Sequence, residues 1–114
     1  IGAVGLYIHA PHNRAEICYD LHKDYWRQGI MATAIEKVME FAFDKIDLDR
    51  IEAVTVKENI PSMAILKKMG YQYEGTLKNY RQYEGKAHDI EMFGITPTLF
   101  KSHLKKSQKD ALTV

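Results

Sequence analysis

Hydrophobic and polar positions alternate in two short stretches at the start of the chain and then change to a longer period. Residues 2–9 and 15–21 alternate as β-strands do, and the turn-forming residues 11–13 between them predict an antiparallel hairpin. Over residues 30–46, apolar side chains recur at three- and four-residue steps without glycine or proline. This spacing predicts an amphipathic helix of about five turns.

Strand and helix signals recur at shorter spacing in the second half of the chain. The alternating, β-branched residues 51–56 predict a strand. Asn59 and Pro61 form a helix-start signal, and the short helix is closed at Gly70, the residue type that best tolerates the left-handed conformation. Three strand-like runs and a final weak helix signal come last, at residues 71–77, 80–83, 89–95 and 98–109.

The order β-β-α-β-α-β-β predicts a mixed α/β (α+β) fold, in which helices pack on the faces of one mostly antiparallel sheet. At 114 residues the chain has room for one domain, and 46% hydrophobic residues suffice for its core. We expect residues 1–100 to form that domain and residues 101–114 to form a basic tail, helical over one or two turns.

Charge is unevenly distributed, although the net charge is only +1. The tail carries four lysines and one aspartate, so the preceding residues hold 12 basic and 14 acidic side chains. A nucleic-acid-binding domain has its basic patch on the folded body, so this distribution gives no support to a nucleic-acid partner. No apolar run approaches the ~20 residues that cross a bilayer, which argues against a membrane partner.

The start of the chain and its single cysteine bear on where the protein works. Cys18 has no partner for an internal disulfide, which is typical of a reducing cytoplasm, and no signal-peptide pattern opens the chain. The first residue is Ile1 rather than methionine, and it leads directly into an apolar run. We therefore expect that an N-terminal segment precedes this sequence.

The connection between the second strand and the long helix carries the clearest chemical signal. Gly29 lets backbone N–H groups point outward at the start of the helix, and with the helix dipole these form an anion site suited to phosphate. Arg27 could add a bidentate contact. The alternative is that Gly29 only permits the turn. The segment is not a Walker loop, since no Gly-Lys-Ser/Thr follows, and one glycine makes no dinucleotide fingerprint.

Six short motifs occur in the order and spacing of a known enzyme family. They are Ala15-Glu16-Ile17, Trp26-Arg27-Gln28-Gly29-Ile30-Met31, Asp49-Arg50-Ile51-Glu52, the run from Asn59 to Tyr71, Glu74-Gly75-Thr76-Leu77 and His88-Asp89. Over residues 1–100 the chain resembles the GNAT N-acetyltransferase superfamily, and within it the branch of the ribosomal-protein-alanine N-acetyltransferases. Members of this branch are longer, and their additional N-terminal part helps to shape the acceptor site.

The resemblance implies that the protein binds acetyl-CoA and transfers the acetyl group to an amine, without a metal. The second strand would splay from the strand at residues 51–56 and leave a V-shaped cleft for the pantetheine arm of CoA. Ser62 would donate a proton to the departing thiolate, and the alternative is that its hydroxyl only caps the short helix. The implied cofactor-binding residues, along the pantetheine arm, the pyrophosphate and the thiol end, are Leu21, His22, Trp26, Arg27, Gln28, Gly29, Ile30, Met31 and Asn59.

The chain departs from the family pattern at several positions. Met31 stands where the family has a small residue, although backbone amides make that contact, and Trp26 is common in this branch. Leu66 occupies the position of the tyrosine acid of many members, which leaves Ser62 as the implied acid. Arg81 occupies the position of the glutamate base, so the base is unassigned. The nearby titratable candidates are Glu84, His88, Asp89 and Glu91.

These observations predict a cytoplasmic N-acetyltransferase whose acceptor is a protein N-terminal α-amine, such as that of a ribosomal protein. An α-amine of pKa ~8 is roughly 10% neutral at pH 7, whereas a lysine amine of pKa ~10.4 is neutral in less than about 0.1% of molecules, so an α-amine needs the missing base less. The alternatives are an enzyme for a polyamine or an antibiotic, and a non-catalytic acyl-CoA-binding module. We also expect a homodimer, or retained association with the preceding segment, because the first strand would expose an unpaired edge.

Overall fold

The computed structural model describes residues 2–21 and 29–112. In these residues the predicted order β-β-α-β-α-β-β is confirmed, and a third helix follows the last strand. The elements are β1 (Gly2–His9), β2 (Arg14–Leu21), α1 (Ile30–Asp44), β3 (Arg50–Thr55), α2 (Ile60–Lys68), β4 (Gln72–Tyr83), β5 (Lys86–Ile95) and α3 (Pro97–Leu112). A short 3-10 helix at Ala10–His12 links β1 to β2.

The strands form one sheet with the spatial order β1-β2-β3-β5-β4. Its neighbouring strands are antiparallel except β2 and β3, which run parallel. The register of β2 and β3 consists of three pairs, Arg14 with Arg50, Ala15 with Ile51 and Glu16 with Glu52. Beyond these pairs β2 continues to Leu21 and β3 to Thr55, and these described residues make no further pairs with each other. The predicted V-shaped splay is therefore present.

The core lies between one face of the sheet and the helices. Helix α1 turns one face inward at three- and four-residue steps, as its sequence pattern predicts. The buried residues of α1 are Met31, Ile35, Met39, Ala42 and Phe43. Ile51 of β3, Phe93 of β5 and Leu66 of α2 belong to the same buried cluster and are 0% exposed. The buried side chains of β2 and β3 in this cluster hold the two strands in position where they diverge.

Helix α2 ends at the predicted glycine in a Schellman motif. The N–H of Tyr71 donates to the carbonyl of Leu66 at 3.0 Å, and the N–H of Gly70 donates to that of Lys67 at 3.1 Å. Gly70 has a φ of +92°, which a residue with a side chain rarely adopts.

Helix α3 has 16 residues and is therefore longer than the one or two turns expected from the weak signal at residues 98–109. Phe100 is 3% exposed, and its ring centroid lies 5.4 Å from that of Phe43 on α1. This lysine-rich segment has few apolar residues, so its sequence shows only a weak helical pattern. The packing of Phe100 against Phe43 anchors the helix in the structure. In the described residues, none of the helices has the length and apolar character that crossing a membrane requires.

The hairpin of β4 and β5 also differs in detail from its prediction. β4 is continuous over the two strand-like runs at residues 71–77 and 80–83, and register shifts between Tyr73 and Gly75 and between Leu77 and Arg81 interrupt its pairing with β5. Asn79 lies within the second shift and has a φ of +50°. Such a bulge weakens the alternation that a sequence pattern can show, which explains the gap between the two predicted runs.

Candidate functional site

The open end of the splay and the start of α1 form the candidate site. Gly29 is the N-cap of α1 with a φ of +75°, and no side chain of the described residues caps this helix end. The Gly29 carbonyl accepts the N–H of Thr33 at 3.0 Å, while the first-turn N–H groups of any helix have no partner within the helix. A Cβ placed on Gly29 would meet no atom of residues 2–21 and 29–112 within 4 Å, so these parts of the chain leave the space beside the turn open. An anion can approach these N–H groups.

Among the predicted cofactor-binding residues, His22, Trp26, Arg27 and Gln28 lie outside the described residues. Leu21 is the last residue of β2, at the wide end of the splay. The two that follow Gly29 point in different directions, since Ile30 is 38% exposed and Met31 is 7% exposed within the core cluster. The bulk of Met31 is therefore directed away from the open turn, and its side chain leaves the backbone amides accessible.

A groove of about 730 Å³ extends from Gly29 between the ends of α1, α2 and α3. Its basic lining residues are Lys67 and Lys68 in the last turn of α2 and Lys106 on α3. Glu36 is the acidic residue of the lining, and its carboxylate lies 3.9 Å from Nε2 of His103. Three lysines beside a helix N-terminus give this groove the charge to hold phosphate groups.

Asn59 and Ser62 lie together at the start of α2, where they have different hydrogen-bonding roles. Asn59 is the N-cap, and its side-chain oxygen accepts the backbone N–H of Ser62 at 3.2 Å. The hydroxyl of Ser62 does not cap the helix. Its Oγ lies 2.5 Å from the hydroxyl oxygen of Tyr19, which reaches across from the splayed half of β2. A side chain of β2 and a side chain of α2 thus meet at the open cleft.

Tyr19 is a site residue that the sequence pattern does not reveal. It alternates with Ala15 and Ile17, which are buried, so a packing role explains it fully from sequence. Burial raises the pKa of Tyr19, and the hydrogen bond with Ser62 partly opposes that shift. The phenol is therefore held in its neutral, proton-carrying form at neutral pH.

The acetyltransferase (GNAT) domain family matches residues 1–72. The chain belongs to the GNAT acetyltransferase family. An uncharacterised N-acetyltransferase of Bacillus licheniformis, p20, is 36% identical over 96 residues, which are 83% of this chain and 54% of that protein. The chain thus spans about half the length of the curated relatives it matches.

Solved structures of GNAT proteins share the fold. The ribosomal-protein-S5-alanine acetyltransferase of Vibrio fischeri matches with a TM-score of 0.78 and 28% identity, over 84% of this chain and 54% of that chain. RimJ of Mycobacterium smegmatis, in complex with CoA-disulfide, matches with a TM-score of 0.75 and 31% identity, over 85% and 46%. In sequence, a spermidine N(1)-acetyltransferase of Escherichia coli is 29% identical over 61% of this chain and 38% of that protein.

The departures of this GNAT chain from the family pattern correspond to distinct environments. Leu66, at the position of the usual tyrosine acid, is 0% exposed and belongs to the core under α2. Arg81, at the position of the glutamate base, lies with its Nη2 3.4 Å from the carboxylate of Glu16 on β2. The first departure is a packing substitution, and the second places a cation beside an acidic residue of the cleft strand.

Two of the four candidate bases are carboxylates held within the β4–β5 hairpin. Asp89 accepts the backbone N–H of Asn79 at 2.9 Å and an ammonium proton of Lys78 at 3.2 Å, and these bonds lower its pKa. Glu91 is 4% exposed and accepts the hydroxyl protons of Tyr73 at 2.6 Å and Thr76 at 2.8 Å, which lower its pKa. A lowered pKa makes each carboxylate a weak base.

The other two candidates lie at the tip of the same hairpin. The ring of His88 stacks on that of Tyr83 with centroids 3.7 Å apart, and its Nε2 is 3.2 Å from the Tyr83 carbonyl oxygen. Glu84 is exposed in the two-residue turn, with a φ of +54°. The base thus remains unassigned. Within the described residues, no group of three or more His, Cys, Asp and Glu side chains is arranged to hold a metal ion.

Proposed function

We propose that the protein transfers the acetyl group of acetyl-CoA to a primary amine, and that the splay between β2 and β3 is where acetyl-CoA binds. The observation that carries this proposal is the end of the parallel ladder after Glu16 and Glu52, on the strand that precedes the glycine-capped start of α1 along the chain. Strand backbone beyond the last pair is free to bond to the amides of a pantetheine arm. Membership of the GNAT family makes acetyl-CoA the expected ligand of such a cleft.

The phosphates of CoA fit the other end of the same cleft. The backbone N–H groups of Gly29, Ile30 and Met31 would hold the pyrophosphate, assisted by the helix dipole of α1. The lysines of the adjoining groove, Lys67 and Lys106 among them, supply positive charge for the remaining phosphate of the nucleotide. Cationic side chains beside oriented N–H groups suit this strongly anionic ligand.

The chemistry is direct attack of the acceptor nitrogen on the thioester carbonyl carbon, without a covalent enzyme intermediate. The N–C bond forms, the C–S bond breaks, and the sulfur leaves as a thiolate that takes the hydroxyl proton of Ser62. The acceptor nitrogen releases one proton as it becomes an amide, and that proton replaces the one that Ser62 has given up. A backbone N–H near Leu21 would face the oxyanion that develops on the carbonyl oxygen. Because thiols have a pKa near ~8.5, the thiolate leaves readily and the contribution of the acid is modest.

The acceptor that we propose is a protein N-terminal α-amine, such as that of a ribosomal protein. Asp89 and Glu91 are engaged in the hairpin with lowered pKa values, which favours an acceptor that needs little help from a base. The structural similarity to a ribosomal-protein-S5-alanine acetyltransferase supports the same class. The second candidate is a small amine such as a polyamine, which the spermidine acetyltransferase among the relatives favours. A non-catalytic acyl-CoA-binding module is the third.

An acceptor panel separates the three. The protein expressed from its complete gene is incubated with acetyl-CoA and with three acceptors: a peptide with a free N-terminus and no lysine, its N-blocked version with one lysine, and spermidine. We expect acetylation of the free α-amine at least about a hundredfold faster than of the lysine, because roughly 10% of the α-amine but less than about 0.1% of the lysine amine is neutral at pH 7. Preference for spermidine would select the second candidate, and CoA binding without any transfer would select the module.

The proposal extends to assembly and location. β1 is an edge strand of the sheet, and Tyr7 and Ile8 on it are 71% and 52% exposed. Pairing of two β1 edges would cover these side chains in a homodimer. Light scattering is expected to give twice the chain mass, and a monodisperse monomer would exclude this assembly. The single cysteine, Cys18, is a free thiol whose pKa is raised by burial, which suits a cytoplasmic protein.

A further inference from the structure

We propose that Tyr19 is a positioning residue for acetyl transfer, which holds the hydroxyl of Ser62 in the orientation that lets it protonate the departing thiolate. This inference rests on the proposed function. It assigns a role to a residue of the cleft strand that neither the family pattern quoted above nor the packing of the core requires.

The position of Tyr19 in the splay is the first argument. It lies on β2 after Glu16, the last residue that pairs with β3, so its strand has already diverged at this point. Its side chain crosses to the first turn of α2, where its hydroxyl lies 2.5 Å from Oγ of Ser62 and 3.4 Å from the Ser62 carbonyl oxygen. The contact therefore joins the two elements between which the thiol end of acetyl-CoA would lie.

The freedom of the Ser62 hydroxyl is the second argument. The N-cap of α2 is Asn59, whose side chain accepts the backbone N–H of Ser62, so Ser62, the third residue of the helix, is not its capping residue. Either hydroxyl can donate in the short contact between Tyr19 and Ser62, and in the proposed arrangement Tyr19 donates and Ser62 Oγ accepts. When Tyr19 donates, its hydroxyl proton lies between the two oxygens. The hydroxyl proton of Ser62 then points away from Tyr19, because only one proton fits between them.

The proton balance follows from this geometry. As the C–S bond breaks, its electron pair stays on sulfur, and sulfur takes the proton of Ser62. The acceptor nitrogen releases a proton as its bond to carbon forms. That proton passes to the Ser62 oxygen, which the hydrogen bond from Tyr19 holds in place. Tyr19 keeps its own proton throughout. Its burial favours the neutral phenol and thereby this donor role.

The test is a double-mutant cycle with Tyr19→Phe and Ser62→Ala in the protein expressed from its complete gene. Tyr19→Phe removes one oxygen and keeps the ring, so we expect kcat to fall about 5- to 20-fold while KM for acetyl-CoA changes less than about twofold. In the Ser62→Ala background the same substitution should leave kcat within about twofold, because nothing remains to be positioned.

The matched control is Tyr71→Phe. Tyr71 is also a buried tyrosine, 4% exposed, and its hydroxyl finds no hydrogen-bond partner among the described residues. We expect wild-type kcat for this variant. An unchanged kcat for Tyr19→Phe, or the same loss with and without Ser62, would overturn the inference. If the wild-type protein transfers no acetyl group, the proposed function itself fails, which is a separate outcome.

Discussion

Glu16 on β2 and Glu52 on β3 lie side by side as the last pair of the parallel ladder, so two carboxylates mark the vertex of the cleft. Each has an arginine partner. Arg81 lies 3.4 Å from Glu16, and Arg14 and Arg50 lie 3.3 Å and 3.2 Å from Glu52. These ion pairs offset the repulsion between neighbouring like charges, and the strands separate immediately after them. The site depends on where this ladder ends.

The first prediction concerns Gly29 at the start of α1. Gly29→Glu should abolish measurable CoA binding, because it places a side chain and a negative charge where phosphate approaches the helix. Any residue with a side chain at a φ of +75° also introduces strain of about 1–2 kcal/mol.

Gly29→Ala is the control for that strain. Its Cβ meets no atom of the described part of the chain within 4 Å, so we expect this variant to retain CoA affinity within a few-fold. Calorimetric titration of both variants with CoA measures the difference. If a folded Gly29→Glu variant bound CoA with the affinity of the wild type, the assignment of the phosphate site to this turn would be wrong.

The second prediction concerns the implied acid. Ser62→Ala should lower kcat by about 10- to 100-fold, with little change in KM for acetyl-CoA. Because Asn59 caps α2, the lost stability is that of one hydrogen bond to Tyr19, about 1 kcal/mol, and the melting temperature falls by only a few degrees. Steady-state kinetics and a thermal melt are measured on the same samples. If Ser62→Ala lowered the melting temperature but left kcat unchanged, Ser62 would have a structural role and would not be the acid.

The third prediction is a pH dependence of stability that arises from Glu91. Its hydrogen bonds lower its folded-state pKa below the unfolded value of ~4.3, so they stabilise the protein above about pH 4.3. That contribution is lost as the pH falls through the folded-state pKa. Glu91→Gln should therefore destabilise at pH 7, and its deficit should shrink on acidification to about pH 3.

Urea unfolding of the Glu91→Gln variant across this pH range provides the measurement. Glu84→Gln at the exposed hairpin turn is the matched charge control, and we expect its effect on unfolding to be within about 0.5 kcal/mol at every pH. A deficit for Glu91→Gln that stays constant with pH would show that the ionised carboxylate does not stabilise the hairpin.

The fourth prediction tests the docking of α3. A Cβ on Gly70 would lie 2.9 Å from the Cβ of His103, so Gly70→Ala must displace α3 in addition to straining a φ of +92°. Gly85→Ala shares the strain, at a φ of +74°, but meets no atom within 4 Å. We expect Gly70→Ala to cost about 1–3 kcal/mol more than Gly85→Ala in chemical unfolding. Equal costs would mean that α3 does not rest on α2.

The sequence predicts the elements around the cleft well, because their signals are local. The spacing of apolar residues in α1, the Asn59 cap and the Gly70 stop depend on neighbours a few residues apart, and the structure contains all three. The length of α3 is missed because its anchor, Phe100, acts through a contact with Phe43 that is distant in sequence. Local patterns carry no information on such a contact.

The candidate site is only partly predictable for the same reason. The motif around Gly29 and the serine at the start of α2 are visible in sequence, and a family resemblance gives them roles. The role of Tyr19 is not visible in the sequence, because Tyr19 alternates with core residues as a packing residue would. Its contact with Ser62 depends on the placement of β2 beside α2. Likewise, the hydrogen bonds that engage Asp89 and Glu91 follow from the bulged register of β4 and β5.

Hydrogen–deuterium exchange of the protein with and without acetyl-CoA tests the central claim most directly, since it reports which backbone amides the ligand covers. The account predicts slower exchange at residues 17–21 of β2 and 29–33 of α1, and unchanged exchange at residues 78–86 of the β4–β5 hairpin. Slower exchange confined to the hairpin would contradict the assignment of the cleft, and so would unchanged exchange at β2 and α1 under conditions in which calorimetry shows acetyl-CoA to be bound.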